Sequence, residues 1–241
     1  MGRPRVALVI PTLDEEEAIA GVVAAVPRDT VDRIIVVDSS SRDRTIVRAT
    51  AAGAEIVSLT QRGYGRACRA GVEAAADCDI VVFLDGDGSD RPELIPTLIE
   101  PIAYDRYDFV TGSRTRGARE PGSMTPHQIF AGRALGAAMR LVYGVGYTDM
   151  APFRAIRRDA LIGLGMREET YGWNLEMQMK AARAGLRILE LPVAHRRRAG
   201  GSSKVSGNLR GTLKASWRIL AVFVRIAAEG RSRPVAAPPA R

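Results

Sequence analysis

Acidic residues follow a short apolar run in the string VVFLDGDGSD, at Asp85, Asp87 and Asp90. Two carboxylates separated by one residue, with the hydroxyl of Ser89 close behind, are hard oxygen ligands of the kind that Mg²⁺ and Mn²⁺ prefer. The intervening Gly86 would let the backbone approach a bulky ligand. The spacing therefore allows a divalent metal between Asp85 and Asp87, with phosphate oxygens and water completing its coordination, and Asp90 is interpreted as part of the turn.

Two other kinds of site use a similar pattern of carboxylates. A calcium-binding helix-loop-helix loop is excluded, because its sixth position would be Asp90 instead of glycine and its twelfth Pro96 instead of glutamate. A haloacid-dehalogenase-type phosphatase uses Asp-x-Asp with the first aspartate as nucleophile. Such a fold needs the motif near its start and an acidic pair after a later strand, but here Glu168 and Glu169 follow no predicted strand. The phosphatase therefore stays as an alternative.

Alternating apolar runs and helix-like segments predict an α/β fold with a mostly parallel sheet flanked by helices. The predicted strands are residues 5–10, 33–38, 54–59, 79–85 and 108–113. The predicted helices are residues 15–26, 43–52, 65–76 and 92–103. Ligands bind at the carboxyl ends of such strands, so PTLDEEE, DSSSRDRT and LDGDGSD should lie at one edge. Thr12 and Glu15 have the spacing of a capping box for the first helix.

Positive charge is concentrated at the C-terminal end of the 241-residue chain. Residues 196–241 contain eleven Arg or Lys and one Glu, whereas the whole chain has a net charge of +8. Such a segment is expected to meet phosphates, nucleic acid or an anionic membrane. No Phe, Tyr or Trp lies between Pro192 and Gly211 to stack on bases, which disfavours nucleic acid. The two cysteines and two histidines are too scattered for a zinc or disulfide framework.

The C-terminal region is predicted to form an amphipathic helix followed by a disordered tail. Apolar residues fall on one helical face between 212 and 228, namely Leu213, Trp217, Leu220, Val224 and Ala227. Such a helix either covers the core or lies at a membrane interface. No apolar run approaches the roughly 20 residues that span a bilayer. We therefore expect a catalytic domain over residues 1–211, the helix over 212–230 and the tail over 231–241.

The order and spacing of motifs over residues 6–207 resemble those of family 2 glycosyltransferases with the GT-A fold, close to the dolichyl- and polyprenyl-phosphate mannose or glucose synthases. The matching strings include PTLDEEE, VVDSSSRDRT, LDGDGSD, TGSR, TDMAPFRAIRR, YGWNLEMQMKAARAGLRILELPV and RRRAGGSSKVSG. In this chain three serines follow Asp38 where the family usually has Asp, Asn or Gly. Ala151 also replaces a usual glycine.

The resemblance implies an inverting, metal-dependent hexosyltransferase that uses a nucleotide diphosphate sugar such as GDP-mannose or UDP-glucose. The implied nucleotide-sugar-binding residues are Pro11, Leu13, Glu15, Asp38, Arg62, Gly63, Asp85, Gly86, Asp87, Asp149 and Arg154. The implied Mg²⁺ or Mn²⁺ ligands are Asp85, Asp87 and Ser89. The implied catalytic residues are Asp87, Arg114, Glu176 and Arg198.

The acceptor decides which further groups the site needs. A sugar hydroxyl would require a general base, for which Glu176 and Asp149 are candidates. A phosphate monoester is already largely dianionic near neutral pH, with a second pKa of about 6, and requires cations instead. Arg198 and Lys204 match the family's basic motif, so a polyprenyl phosphate is the favoured acceptor and a hydroxyl the alternative. The enzyme is then expected on the cytoplasmic face of an anionic membrane, with a membrane protein as a further partner.

Overall fold

The computed structural model describes residues 2–200 and 209–229, with backbone alone for residues 209–216. The strands in these residues are β1 (Val6–Thr12), β2 (Arg33–Asp38), β3 (Glu55–Ser58), β4 (Ile80–Phe83), β5 (Phe109–Ser113), β6 (Arg154–Arg157) and β7 (Ile188–Pro192). They form one sheet in the order β3-β2-β1-β4-β6-β5-β7. Pairing is parallel except at β6, which is antiparallel to both β4 and β5.

Helices cover both faces of this sheet. They are α1 (Ile19–Ala24), α2 (Thr45–Ala51), α3 (Tyr64–Ala74), α4 (Ile95–Ala103, after a 3₁₀ turn at Pro92–Leu94), α5 (Pro126–Tyr143), α6 (Arg158–Gly163), α7 (Trp173–Arg183) and α8 (Leu209–Ala228). Successive strand residues point to opposite faces, so Ala7 and Val9 join one core with α3, α5, α7 and α8. Leu8 and Ile10 join the other core with α1 and α4. The predicted α/β architecture is confirmed.

The first helix begins later than predicted, at Ile19 instead of residue 15. Thr12 is not its cap, because this residue belongs to β1 and its hydroxyl donates to a backbone carbonyl of β2. The Glu15 amide instead donates to the Oγ1 atom of Thr45 at 2.8 Å. The predicted capping box is therefore wrong, since the loop after β1 is held by the loop after β2.

Two elements between residues 114 and 157 were not predicted. Helix α5 begins with a capping box made by Thr125 and Gln128 and ends at Gly144, which has the left-handed φ of 76°. Strand β6 reads RAIR, and its first residue, Arg154, is fully buried. A strand that begins and ends with arginine lacks the apolar pattern used to find the others.

Helix α8 packs on the core with one face and exposes an apolar face. Val222 and Ile226 are buried in the same core as α7. Trp217, Leu220 and Val224 are 73%, 50% and 58% exposed. The helix therefore covers the core, as one of the two alternatives proposed, while keeping apolar surface free. Residues 231–241, predicted to be disordered, lie outside the described residues.

Candidate functional site

The loops after β1 and β2 are joined at the carboxyl edge of the sheet. The Oγ atom of Ser41 accepts a hydrogen bond from the Asp14 amide at 2.8 Å, and Asp14 accepts one from the Arg42 amide at 2.8 Å. Asp38 is buried at the end of β2, where its carboxylate accepts hydrogen bonds from the amide and hydroxyl of Ser41. Glu15 and Asp38, two predicted nucleoside contacts, thus lie on loops that fix each other.

Asp87 is held in one orientation by its own turn. Its Oδ1 atom accepts hydrogen bonds from the amide of Ser89 at 2.9 Å and from the Ser89 hydroxyl at 2.6 Å. Its Oδ2 atom lies 3.0 Å from a guanidinium nitrogen of Arg198. The structure therefore gives Ser89 the task of orienting Asp87, whereas the sequence suggested a direct metal ligand.

Asp85 carries a carboxylate oxygen that lacks a hydrogen-bond partner. Its Oδ1 atom is buried, and no donor among the described residues reaches it. Burial, together with the negative charges of Asp87 and Asp90, raises the pKa of Asp85 to about 8. A bound cation would relieve both the burial cost and the repulsion. The unpaired Asp85 oxygen and the Asp87 oxygen that contacts Arg198 therefore fit a site for a divalent metal.

Such a metal would need ligands from outside the protein as well. No group of three or more His, Cys, Asp or Glu side chains in the described parts of the chain is arranged to hold an ion. Two protein carboxylates leave coordination positions for phosphate oxygens and water, which is the usual arrangement for Mg²⁺.

Asp90 does more than terminate the turn. Its Oδ2 atom accepts a hydrogen bond from the Asp85 amide at 3.2 Å. Its Oδ1 atom lies 3.6 Å from Nδ1 of His195, and both side chains are buried. Asp90 thus connects residues 85–90, which we call the aspartate turn, to the chain beyond β7. No local motif could indicate this contact.

We call residues 195–200 the basic segment, which lies directly on the aspartate turn. The Arg196 amide donates to the carbonyl of Ser89 at 3.0 Å, and the Ala199 amide donates to that of Asp87 at 3.0 Å. Between these two anchors, Arg198 bridges Asp87 at 3.0 Å and Glu15 at 2.6 Å. The predicted phosphate-binding Arg198 is thus in the site, and Lys204, its predicted companion, lies outside the described residues.

Arg114 and Asp149 are brought together, but they pair with each other. The Nε and Nη2 atoms of Arg114 lie 2.7 and 2.9 Å from the two carboxylate oxygens of Asp149. Burial alone would raise the pKa of Asp149, but the hydrogen bonds and charge of Arg114 outweigh it and hold this pKa below its usual value. An ion-paired carboxylate of low pKa is a weak base. The structure therefore argues against Asp149 as a general base.

Glu176 is fully buried and both of its oxygens are engaged. One oxygen accepts hydrogen bonds from the amides of Arg167 and Glu168 at 3.0 and 2.6 Å. The other lies 2.9 Å from the ammonium of Lys180 and 3.4 Å from the guanidinium of Arg225. Glu176 thus holds α8 and the turn before α7. These contacts argue against the predicted catalytic role and give the residue a structural one.

Arg154 is a buried cation with spare donors. Its guanidinium lies over the Phe83 ring, 5.5 Å from the ring centre, and one nitrogen donates to Asn174. Its other two nitrogens have no partner in the described structure, and the same is true of the Tyr64 hydroxyl and the Trp173 indole nitrogen. Sequence reasoning did not single out Tyr64 or Trp173, whose neighbours in the chain are mostly glycine and polar residues.

Close packing explains two of the predicted glycines. A Cβ atom on Gly63 would lie 2.5 Å from the carbonyl oxygen of Glu169, and one on Gly86 would lie 2.7 Å from the Thr12 side chain. Gly86 is therefore required where β1 and β4 end side by side, whatever ligand binds. Among the other predicted nucleotide contacts, Pro11 is buried, Leu13 half-buried and Arg62 exposed.

Known proteins resemble this chain along most of its length. The family model described as Glycosyl transferase family 2 matches residues 7–165. An uncharacterised glycosyltransferase of Mycobacterium tuberculosis is 38% identical over 224 residues, which cover 91% of this chain and all of that protein. Undecaprenyl-phosphate mannosyltransferase of Micrococcus luteus is 32% identical over 225 residues, covering 86% of this chain and 90% of that protein.

A solved structure has a similar fold. Glucosyl-3-phosphoglycerate synthase from Mycobacterium tuberculosis, in complex with Mn²⁺, UDP-glucose and phosphoglyceric acid, superposes with a TM-score of 0.76 at 26% identity. The superposition covers 93% of this chain and 80% of that one.

Proposed function

Because the chain belongs to glycosyl transferase family 2, we propose that it transfers a hexose from a nucleotide diphosphate sugar to a polyprenyl phosphate, with inversion at the anomeric carbon and a divalent metal as cofactor. The family and the GT-A fold that the motifs indicated are confirmed. Membership in this family also argues against the phosphatase alternative.

One observation carries the proposal. Asp85 and Asp87 lie at the carboxyl edge of the sheet, where Asp85 has an unpaired oxygen and Asp87 contacts the guanidinium of Arg198. A metal held there, Mg²⁺ or Mn²⁺, would supply positive charge where the nucleotide diphosphate departs. Glu15 and Asp38 would contact the nucleoside from the adjoining loops. The donor would then lie across the ends of β1, β2 and β4.

The spare donors of Arg154 fit the sugar of the donor. Two guanidinium nitrogens without partners, beside a tyrosine hydroxyl in the same state, would leave buried polar groups unsatisfied unless a ligand or water reaches them. Hydroxyl oxygens of a hexose are suitable acceptors for these donors. Arg154 would therefore fix the orientation of the sugar, while the metal-binding aspartates hold the diphosphate.

The state of the two candidate bases supports a phosphate acceptor. Asp149 is paired with Arg114, and Glu176 is paired with Lys180 and the neighbouring amides. A phosphate monoester requires no base, because it is already anionic. Arg198 would bind it, and the similar Micrococcus luteus enzyme carries undecaprenyl-phosphate in its name. A hydroxyl acceptor stays as the second candidate, since phosphoglyceric acid occurs in the similar solved complex.

Helix α8 supports peripheral binding to the cytoplasmic face of a membrane. Its exposed Trp217, Leu220 and Val224 form an apolar surface, and Arg218 beside them is half exposed. Aromatic and aliphatic side chains next to arginine are typical of helices that lie in the headgroup region of anionic lipid. None of the described helices is long and apolar enough to cross a bilayer. A membrane protein partner stays a prediction.

The direct test combines radiolabelled GDP-mannose or UDP-glucose, Mg²⁺ or Mn²⁺, and undecaprenyl phosphate. The expected product is a label that moves into the organic phase with one of the donors and not with undecaprenol, which lacks the phosphate. Asp87→Asn should produce none. Label transferred only to a water-soluble hydroxyl acceptor would contradict the lipid-phosphate proposal and favour the second candidate.

A further inference from the structure

We propose that Arg198 is the cation bound to Asp87 before the metal arrives, and that its displacement from Asp87 makes its guanidinium available to the acceptor phosphate. The first half of this inference concerns metal binding alone. The second half rests on the proposed function.

Arg198 joins two carboxylates of the predicted donor site, those of Asp87 and Glu15, through one side chain. Two nitrogens of the Arg198 guanidinium lie 3.0 Å from Asp87 and 2.6 Å from Glu15. The side chain of Arg198 is 27% exposed, whereas those of Asp87 and Glu15 are 9% and 10% exposed. The guanidinium therefore neutralises carboxylates that are largely removed from water.

The same oxygen of Asp87 would have to serve the metal. Ser89 already donates two hydrogen bonds to Oδ1, at 2.9 and 2.6 Å, and this fixes the rotation of the carboxylate. Oδ2 is then the oxygen that faces a cation, and Arg198 lies against it. A guanidinium and a divalent ion on one oxygen repel each other strongly in a partly desolvated site. Binding of the metal should therefore weaken the bond between Arg198 and Asp87.

The exchange can take place without moving the backbone of the basic segment. Amides on both sides of Arg198, those of Arg196 and Ala199, donate to carbonyls of the aspartate turn at 3.0 Å each. A Cβ atom on Gly200 would lie 1.4 Å from a carboxylate oxygen of Glu17, so the chain approaches the β1 loop closely at this point. Arg198, which also contacts Glu15 at 2.6 Å, is thereby kept beside the metal site after it leaves Asp87, with one side of its guanidinium available to an anion.

This arrangement sets an order of binding. While Arg198 is bound to Asp87, its charge is neutralised and it attracts an acceptor phosphate weakly. After metal and donor bind, the same charge is unpaired on that side and available for the acceptor. Arg198 thus makes acceptor binding depend on a loaded donor site.

The first experiment measures Mn²⁺ binding to the full chain without nucleotide, by electron paramagnetic resonance of free Mn²⁺. Arg198→Gln should bind Mn²⁺ on the order of tenfold more tightly than the wild type, by analogy with the fall of about one unit or more that an adjacent arginine causes in the pKa of a carboxylate. The matched control is Arg197→Gln, because Arg197 is exposed and contacts Glu120 and Pro121 instead of the aspartates. It should leave the affinity unchanged, and Asp87→Asn should abolish it.

Three outcomes would overturn the inference in this experiment: unchanged or weaker Mn²⁺ binding by Arg198→Gln, equal tightening in both arginine variants, or unchanged binding in Asp87→Asn. Arg198→Lys, which keeps the charge, should stay near the wild type and guards against a folding defect. Circular dichroism of each variant checks the fold. None of these readouts depends on a transferase reaction.

The second experiment measures binding of farnesyl phosphate in detergent, with and without Mn²⁺ and a nucleoside diphosphate. Mn²⁺ and nucleotide should tighten binding at least severalfold in the wild type and have no effect in Arg198→Gln. Binding that ignores Mn²⁺ and nucleotide in the wild type would overturn the exchange. No binding under any condition, with the Mn²⁺ result of the first experiment intact, would contradict the lipid-phosphate function and leave the metal exchange standing.

Discussion

Arg114 and Asp149 form a two-point ion pair, with the Nε and Nη2 atoms 2.7 and 2.9 Å from opposite carboxylate oxygens. Asp149 is 2% exposed, and its Oδ2 atom also accepts the Arg114 amide at 2.9 Å. The pair therefore joins the end of β5 to the loop before β6. The pair holds these two segments together, and neither member is a free cation or a free base.

Removing one member of this pair should destabilise the protein. Arg114→Met would leave Asp149 buried without its cation, and loss of one partner of a buried pair typically costs about 3–5 kcal/mol. Urea unfolding followed by circular dichroism measures the change. Asp149→Leu together with Arg114→Met should lose less than the two single variants added together. Strictly additive losses would contradict a direct pairing.

The start of α3 should tolerate no side chain at Gly65. A Cβ atom there would lie 2.2 Å from the carbonyl oxygen of Glu168, so Gly65→Ala must push the 168–169 turn away. We expect a loss of about 1–3 kcal/mol in the free energy of unfolding, as for other overpacked sites. Gly163→Ala is the matched control, since nothing lies within 4 Å of its added methyl group. Equal effects of the two substitutions would show that the close contact is not limiting.

Arg154→Met should separate sugar binding from nucleotide binding. The buried guanidinium has two nitrogens without partners, so replacement by an apolar side chain should cost little stability. Affinity for the nucleotide sugar should fall about tenfold, by analogy with the roughly 1.5–3 kcal/mol of a charged hydrogen bond. Affinity for the nucleoside diphosphate alone should hold. Isothermal titration with both ligands measures this, and an equal loss for both would exclude a sugar-specific role.

Glu168 should make α8 sensitive to acid. Its carboxylate is fully buried and lies 3.1 Å from Arg218 and 3.8 Å from Arg225, both on α8. Burial would raise the pKa of Glu168, but hydrogen bonds from Thr170 and the charge of Arg218 outweigh it, so the pKa is lowered. A depressed pKa means that this stabilisation is present above the unfolded-state pKa and is lost as the pH falls through the folded value.

Thermal unfolding between pH 7 and pH 3 tests this expectation. The wild type should lose more stability below about pH 4 than Glu168→Gln, whose neutral side chain has nothing to titrate. Glu93→Gln is a suitable control, because Glu93 lies on the surface and pairs only with the nearby Arg91 in the described structure. A wild type and a Glu168→Gln variant with parallel pH profiles would argue against this ion pair as a support for α8.

Most elements of the first half of the fold follow from local sequence, whereas α5, β6, α6 and β7 in the second half were not predicted. Strands β1 to β5 match the predicted runs within about two residues, because each is an uninterrupted apolar segment between polar loops. The antiparallel β6 was missed, since Arg154 occupies a fully buried position in it. A buried arginine over Phe83 is a tertiary solution that composition cannot signal.

The candidate site shows the same division between local and distant information. Motif spacing was enough to place Asp85 and Asp87 at the edge of the sheet, because both follow a predicted strand. It could not indicate that Arg114 would form an ion pair with Asp149, or that Glu176 would form one with Lys180. Such pairings depend on which loops meet in space. A charged residue in a motif is therefore a candidate until its partners are known.

The antiparallel pairing of β4 with β6 also separates an acidic part of the site from a basic part. On one side, residues 2–103 build β3-β2-β1-β4 and supply Glu15, Asp38, Asp85 and Asp87. On the other side, residues 104–200 build β6-β5-β7 and supply the guanidinium groups of the site. Each half is poorly balanced in charge without the other. Under the proposed function, variation in the arginine-bearing half would therefore change the acceptor, while the acid-bearing half would still bind the nucleotide diphosphate.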